Sequence, residues 1–224
     1  MNDFSRAKVR AVVFDVGETL VDETRMWADH AERAGVTSLT FFAVLGAMIE
    51  RGDDHSGIWT ELGLRPPAEL AQTEPVDLYT DAIDCIETIR ATGTIVGIAG
   101  NQPSGLARRL SRLKVPVDFI ASSSEWGVKK PSRGFFARVI DAAAVPESEI
   151  LYVGDRVDND IAPANSMGIR TAFLMRGPWA HIQRHRPEAE FADLKLDSLE
   201  QLRDIFVDAA KPPNVVRGDG GDVS

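Results

Sequence analysis

The strongest constraint on this chain is a rhythm of short apolar runs, four of them ending at an acid, a glycine or a serine, with helical patterns between most of them. Residues 9–16, VRAVVFDV, are too short for a helix and rich in valine, so they predict a buried strand. TIVGIAG (94–100), VDFIASS (117–123) and ILYVGD (150–155) are built alike, and RTAFLM (170–175) follows soon after. Between them lie PSGLARRLSRLK (103–114), SRGFFARVIDAAA (132–144) after Pro131, and DNDIAPANSMG (158–168) closing at Gly168, each with a helix start or stop signal. Strands alternating with helices of this length predict an α/β chain with a doubly wound, Rossmann-like parallel sheet covered on both faces. Such sheets place reactive loops at the carboxyl ends of the strands, where Asp15, Gly100, Ser122 and Asp155 fall.

The first strand breaks the rhythm. Roughly sixty residues separate it from DLYTDAIDCIETIRATG, the helix leading into the second strand, and that interval reads as ETRMWADHAERAG, SLTFFAVLGAMIERG and HSGIWTELG before a Pro66-Pro67 break. The expectation is a core of residues 1–22 and 77–210, with residues 23–76 inserted as a small helical cap over the mouth of the sheet. The last stretch, 211–224, is rich in Gly and Pro and poor in apolar residues, so it is expected to be disordered.

Charge and cysteine usage narrow the function classes. With 25 basic against 34 acidic residues the net charge is −9, which argues against nucleic-acid or anionic-membrane partners and requires a local device, a lysine or a metal ion, to attract any phosphorylated substrate. No apolar run reaches a bilayer span, the N-terminal residues carry no secretory pattern, and the single Cys85 has no disulfide partner, so the expected address is the cytoplasm. Cys85, at helical spacing from Ile89, reads as a packed thiol. Nothing in the sequence speaks to oligomeric state.

Taken together and in order, FDVGETL, VGIAGN, VKKPS and YVGDRVDND resemble the four motifs of the haloacid dehalogenase superfamily, with a cap-sized insertion after the first. The resemblance implies a hydrolase in which Asp15 is a nucleophile forming a covalent intermediate. It implies that Lys130, chosen over Lys129 because proline follows it, steadies the nucleophile and the transferred group. It implies a Mg²⁺ ion held by Asp15, the backbone carbonyl of Gly17, Asp155 and Asp160, with Gly100 and Asn101 at the substrate. Thr19 closes the first motif and its hydroxyl is expected to hold the loop. Asp158, between the two, has as its alternative the cap of the helix beginning near Asn159; Asp155 is favoured as direct ligand, and Asp160 as a ligand or a support behind the ligands.

Two departures from the family pattern matter as much. Phosphatases of the superfamily usually carry a second aspartate two residues after the nucleophile, which protonates the leaving group, and here that residue is Gly17. The second motif usually ends in a serine or threonine that hydrogen-bonds a phosphoryl oxygen, and here that position is Gly100. Glu18, Glu23 and, from the first cap helix, His30 are the candidates for a substitute acid. Three readings stand: a Mg²⁺-dependent phosphoryl hydrolase, a 2-haloacid dehalogenase whose halide leaves without a proton, and a weakly active binding protein on the same scaffold. His181 and His185, four apart, read as a solvated face, and Trp27, Phe41, Phe42 and Trp59 as the cap's own core. Trp126 and Trp179 are candidate pocket walls.

Overall fold

The computed structural model describes residues 5–67, 69, 72–105 and 115–208. It contains a six-stranded sheet in the order β3-β2-β1-β4-β5-β6, all parallel. The strands are β1 (Ala11–Phe14), β2 (Ile95–Gly100), β3 (Phe119–Ser122), β4 (Ile150–Gly154), β5 (Arg170–Leu174) and β6 (Leu194–Leu196). The order reverses at β1, between β2 and β4, which is the switch point where doubly wound sheets open a crevice.

Nine α-helices accompany the strands among the described residues: α1 (Thr24–Arg33), α2 (Ser38–Arg51), α3 (Ile58–Glu61), α4 (Ala82–Ala91), α5 (Ser123–Trp126), α6 (Arg133–Ala143), α7 (Ala162–Asn165), α8 (Gly177–Gln183) and α9 (Leu199–Asp208). Their starts follow local chemistry. Thr37, Ser122 and Ser132 each cap the helix that follows by accepting a backbone N–H, and Pro178 stands in the first turn of α8.

Every residue of β1 is buried, and its side chains divide by parity. Val12 and Phe14 join a core under α4 and α9 that includes Ile86, Ile89, Leu202 and Phe206. Ala11 and Val13 face the opposite core, with Phe135, Phe136, Val139 and Tyr152. Burial on both faces explains the continuous apolar runs of these strands. Cys85 lies in the first core as a packed thiol, pushed by burial and by Asp81 up to about 12.

The sixth strand was not among the expected elements. Leu194–Leu196 is three residues with a central exposed lysine, at the sheet's edge, too short for a periodic signal. The helix expected over 103–114 falls mostly on 106–114, and the tail 211–224 is also outside the described residues. No single helix among the described residues is long and apolar enough to cross a membrane.

The insertion between β1 and α4 consists of α1, α2, a turn at His55–Gly57 and α3. Phe41, Leu45, Met48, Ile49 and Ile58 form its interior together with Trp27 and Trp59. That interior is completed by Trp179 and Ile182 of α8, an element expected only as part of the sheet domain. Arg186, just past α8, adds hydrogen bonds to the carbonyls of Ile49 and Glu50 at the end of α2.

Candidate active site

Three strand ends and one loop converge at the carboxyl edge of the sheet. Asp15 follows β1, and its backbone N–H still donates to the Val153 carbonyl of β4 at 2.9 Å, so the backbone that carries the side chain is fixed by the sheet itself. Asp155 follows β4. Asp160 comes from a wide π-helical turn, Val157–Ile161, in which its N–H donates to the Arg156 carbonyl while its Oδ2 accepts from the Arg156 N–H at 3.1 Å. A Cβ on Gly154 would run into the Asp160 carboxylate, so the glycine before Asp155 is what lets Asp160 reach the strand end.

Lys130 closes the arrangement. Its Nζ lies 2.7 Å from Asp15 Oδ1 and 2.6 Å from Asp160 Oδ1, with only 2% of the residue exposed. Burial alone would pull the ammonium down, but Asp15 and Asp160 hold it well above the usual lysine range. Asn101 positions it: the Asn101 Oδ1 accepts from the Lys130 N–H at 2.8 Å, and its Nδ2 donates to the Lys130 carbonyl at 3.0 Å. The neighbouring Lys129 is exposed and stands 3.9 Å from Asp54.

Asp15, Asp155 and Asp160 each offer a carboxylate oxygen, all within 4.8 Å of one another and all buried. Asp155 is pushed well above the usual carboxylate range by burial and by Asp160 and Asp15, and its Oδ2 has no hydrogen-bond partner among the described residues. Asp160 is raised to about 6 by burial, against the opposing pull of Lys130. An orphaned buried oxygen in a cluster of three hard donors with one cation is an unbalanced charge. That donor set suits a small, hard divalent cation such as Mg²⁺.

The pocket over this cluster, about 80 Å³, is also lined by Gly17, Glu18, Glu23, His55, Asn101, Arg156, Asn159 and Trp179. A wider polar groove of about 560 Å³ continues from it past Asp54, His55, Gln102, Lys129 and Asp158. The first volume suits one small anionic group and the second a polar remainder.

Of the residues singled out from the sequence, the site gathers Asp15, Gly17, Gly100, Asn101, Lys130, Asp155 and Asp160 within one edge of the sheet. Gly100 lies against Asp15: a Cβ there would sit 2.5 Å from Asp15 Oδ1. The Asn101 side chain serves the Lys130 backbone, so what it presents to the pocket is the position it lines. Several other expectations change. Asp158 does not cap a helix; its carboxylate takes two hydrogen bonds from the Arg156 guanidinium, at 3.1 and 3.0 Å. The Thr19 hydroxyl is buried without a hydrogen-bond partner among the described residues, and the loop is held instead through the Thr19 carbonyl, which accepts from Arg176.

Glu18 is not an exposed loop glutamate. It is 5% exposed, at a positive φ of 51°, and its carboxylate accepts from the Glu23 N–H and from the Tyr79 hydroxyl, both at 2.9 Å. Glu23 lines the pocket with its carboxyl. Burial, and then the nearby Glu18, push that carboxyl up to about 7, while a hydrogen bond from Trp27 Nε1 at 3.2 Å works in the other direction. His30 packs against Trp27 and Trp59 inside the insertion, 5.3 and 5.9 Å between ring centres. His181 and His185 are exposed, Trp126 packs on Phe135, and Trp179 is both pocket wall and partner of the insertion.

Sequence reasoning passed over His55 and Arg156. His55 comes from the turn after α2, stacks edge-on against Trp27 and Trp179, and is kept below its usual value by burial and by Arg156. The Arg156 guanidinium lies 5.2 Å from the Trp179 ring centre. Its place inside GDRVDND was a signal; that of His55 becomes visible only when the insertion is folded onto the sheet.

Comparison with known proteins agrees with this geometry. Residues 127–202 match the family model described as HAD-hydrolase-like. The chain is 26% identical to a glyceraldehyde 3-phosphate phosphatase of Methanopyrus kandleri, over 91% of this chain and 99% of that protein. It is 30% identical to the Methanocaldococcus jannaschii protein of the same name over 59% of this chain, a match spanning 58% of that relative. In structure it is similar to L-2-haloacid dehalogenase from Xanthobacter autotrophicus, with a TM-score of 0.69, 20% identity, and coverage of 89% and 99% of the two chains.

Proposed function

We infer that the chain is a haloacid dehalogenase-like hydrolase, and from that premise we propose that it hydrolyses a small phosphorylated metabolite through an aspartyl-phosphate on Asp15, with Mg²⁺ as cofactor. The observation that carries this reading is the buried cluster of Asp15, Asp155 and Asp160 with a single lysine among them and an orphaned Asp155 Oδ2. Relatives named as phosphatases of small phosphorylated compounds support the substrate class.

In this reading an Asp15 carboxylate oxygen attacks the phosphorus atom, the bond from phosphorus to the leaving oxygen breaks, and water later cleaves the acyl phosphate to regenerate Asp15. Lys130, 2.7 Å from Asp15 Oδ1, orients that carboxylate and offers its charge to the phosphoryl oxygens. Asp15, Asp155, Asp160 and the Gly17 carbonyl would hold Mg²⁺, whose chemistry there is to offset the charge of the phosphoryl group among carboxylates. The Gly100 and Asn101 backbone borders the phosphoryl group, and residues 23–76 act as the cap that closes over it, with His55 and Arg156 at its seam.

The test is a hydrolysis screen of phosphorylated metabolites, acyl phosphates included, with Mg²⁺, with EDTA and with Asp15→Asn. The reading expects phosphate release that needs Mg²⁺ and Asp15; release that survives EDTA and Asp15→Asn would overturn it. A second reading, carbon–halogen hydrolysis, is favoured by the absence of a side chain at Gly17, since halide departs unprotonated. Metal-independent halide release from a 2-haloacid would establish it over the first.

A further inference from the structure

We propose that Glu23 supplies the proton for the leaving group, its carboxyl standing in the space that a side chain at position 17 would occupy. The inference rests on the phosphoryl-transfer reading above and adds to it the group that completes the chemistry. A Cβ built on Gly17 would lie 2.5 Å from Glu23 Oε1 and 2.8 Å from its Cδ, so the glutamate's carboxyl fills the volume into which any residue-17 side chain would project. It borders the same pocket as Asp15.

Three hydrogen bonds hold Glu23, two through its backbone and one through its carboxyl. The Glu23 N–H donates to Glu18 Oε1 at 2.9 Å, and Glu18 is itself fastened by the Tyr79 hydroxyl. Glu23 immediately precedes α1, and its carbonyl accepts from the Trp27 N–H at 2.9 Å, which fixes the backbone. Trp27 Nε1 then donates to Glu23 Oε2 at 3.2 Å, leaving Oε1 as the oxygen closest to Gly17. The other candidates are employed elsewhere: Glu18 bonds Glu23 and Tyr79, and His30 packs within the insertion.

The proton balance closes. As Asp15 attacks, the phosphorus–oxygen ester bond breaks, its electron pair goes to the leaving oxygen, and that oxygen takes the Glu23 proton and departs as an alcohol. The Glu23 carboxylate then removes a proton from water as the water oxygen attacks phosphorus and the bond to Asp15 breaks. Glu23 ends protonated and Asp15 free, with one water consumed. A positioned acid or base of this kind contributes about 10²- to 10⁴-fold.

Leaving-group dependence separates this role from a structural one. Glu23→Gln keeps the size and an acceptor for Trp27, and rapid-quench kinetics would follow phosphorylation of the enzyme by acetyl phosphate and by an alkyl phosphate, glycerol phosphate. The expected result is a loss of about 10²- to 10⁴-fold with the alkyl phosphate and less than about tenfold with acetyl phosphate, whose leaving group needs little protonation. Adding Gly17→Asp to Glu23→Ala, where the vacated space admits the new side chain, is expected to recover at least about tenfold of the alkyl phosphate rate lost in Glu23→Ala alone. Equal loss with both substrates, or no loss with either, would overturn the role of Glu23 while leaving the parent reading intact. A wild-type enzyme that acetyl phosphate does not phosphorylate would remove the parent reading, and this one with it.

Discussion

Lys130→Met is the perturbation that the site geometry makes most quantitative. Methionine keeps nearly the volume of lysine beside the Phe135 and Tyr152 rings, so packing changes little and the charge is what is lost. Lys130 Nζ is the cation within 2.7 Å of Asp15 and 2.6 Å of Asp160, and it is buried. Removing one partner of a buried pair costs about 3–5 kcal/mol, because the remaining charges stay desolvated. For a chain of this size each kcal/mol moves Tm by about 2–4 °C, so the expected loss is roughly 6–20 °C.

A pH series sharpens the test. Without the ammonium, the carboxylates of Asp15, Asp155 and Asp160, mutually within 4.8 Å, repel one another. Burial already raises Asp155 and Asp160, the latter to about 6 with the lysine present, and the variant raises them further. An acid whose folded value is raised contributes stability that is complete below its unfolded value and is lost as pH rises through the folded value. The deficit of the variant therefore shrinks on going from about pH 8 to about pH 5. The assay is thermal unfolding followed by circular dichroism in EDTA. A variant melting within about 2 °C of wild type, or a gap unchanged across that pH range, would refute the reasoning.

Three further outcomes are expected. Millimolar Mg²⁺ should raise Tm, by about 2.7 kcal/mol of added stability at one hundred times its Kd, and Asp155→Asn should abolish the shift; a variant that keeps it would show that the ion binds elsewhere. Gly100→Ser, which installs the residue type usual at the end of the second motif, should lower phosphate release, because its Cβ would lie 2.5 Å from Asp15 Oδ1; a variant faster than wild type would contradict the close approach. Asp77 is held below its usual value by the Arg25 guanidinium, whose Nη2 is 2.6 Å away, so its contribution is present above the unfolded carboxylate value and lost as pH falls through the folded one. Asp77→Asn should therefore destabilise at neutral pH and cease to matter in acid, as urea titrations at both ends would reveal.

Much of the fold could be read from the chain because each long strand is buried on both faces and so announces itself as an apolar run. The edge strand escaped notice because Lys195 splits three residues that one face alone buries. The clustered carboxylates were legible for a related reason: Asp15 and Asp155 sit where such runs stop. Lys130 and Lys129 are chemically identical neighbours, and only folding buries one against two acids while leaving the other in water. Glu23 illustrates the limit of local reading. It lies six residues beyond Gly17, yet a sharp loop with Glu18 at a positive φ turns that separation into contact. No periodicity encodes such a turn.

The shared interior of the helical insertion has a consequence for exchange between proteins. Trp179 and Ile182 belong to a helix more than a hundred residues downstream of α2, yet they complete its apolar seat. A graft of residues 23–76 onto another scaffold would arrive with that seat uncovered, and a foreign insertion placed here would have to accommodate an indole already aimed at it. The pocket wall that Trp179 forms is therefore heritable only as a pair of segments. Recombination that separates the two halves of the gene would disturb that wall even with the carboxylate cluster retained.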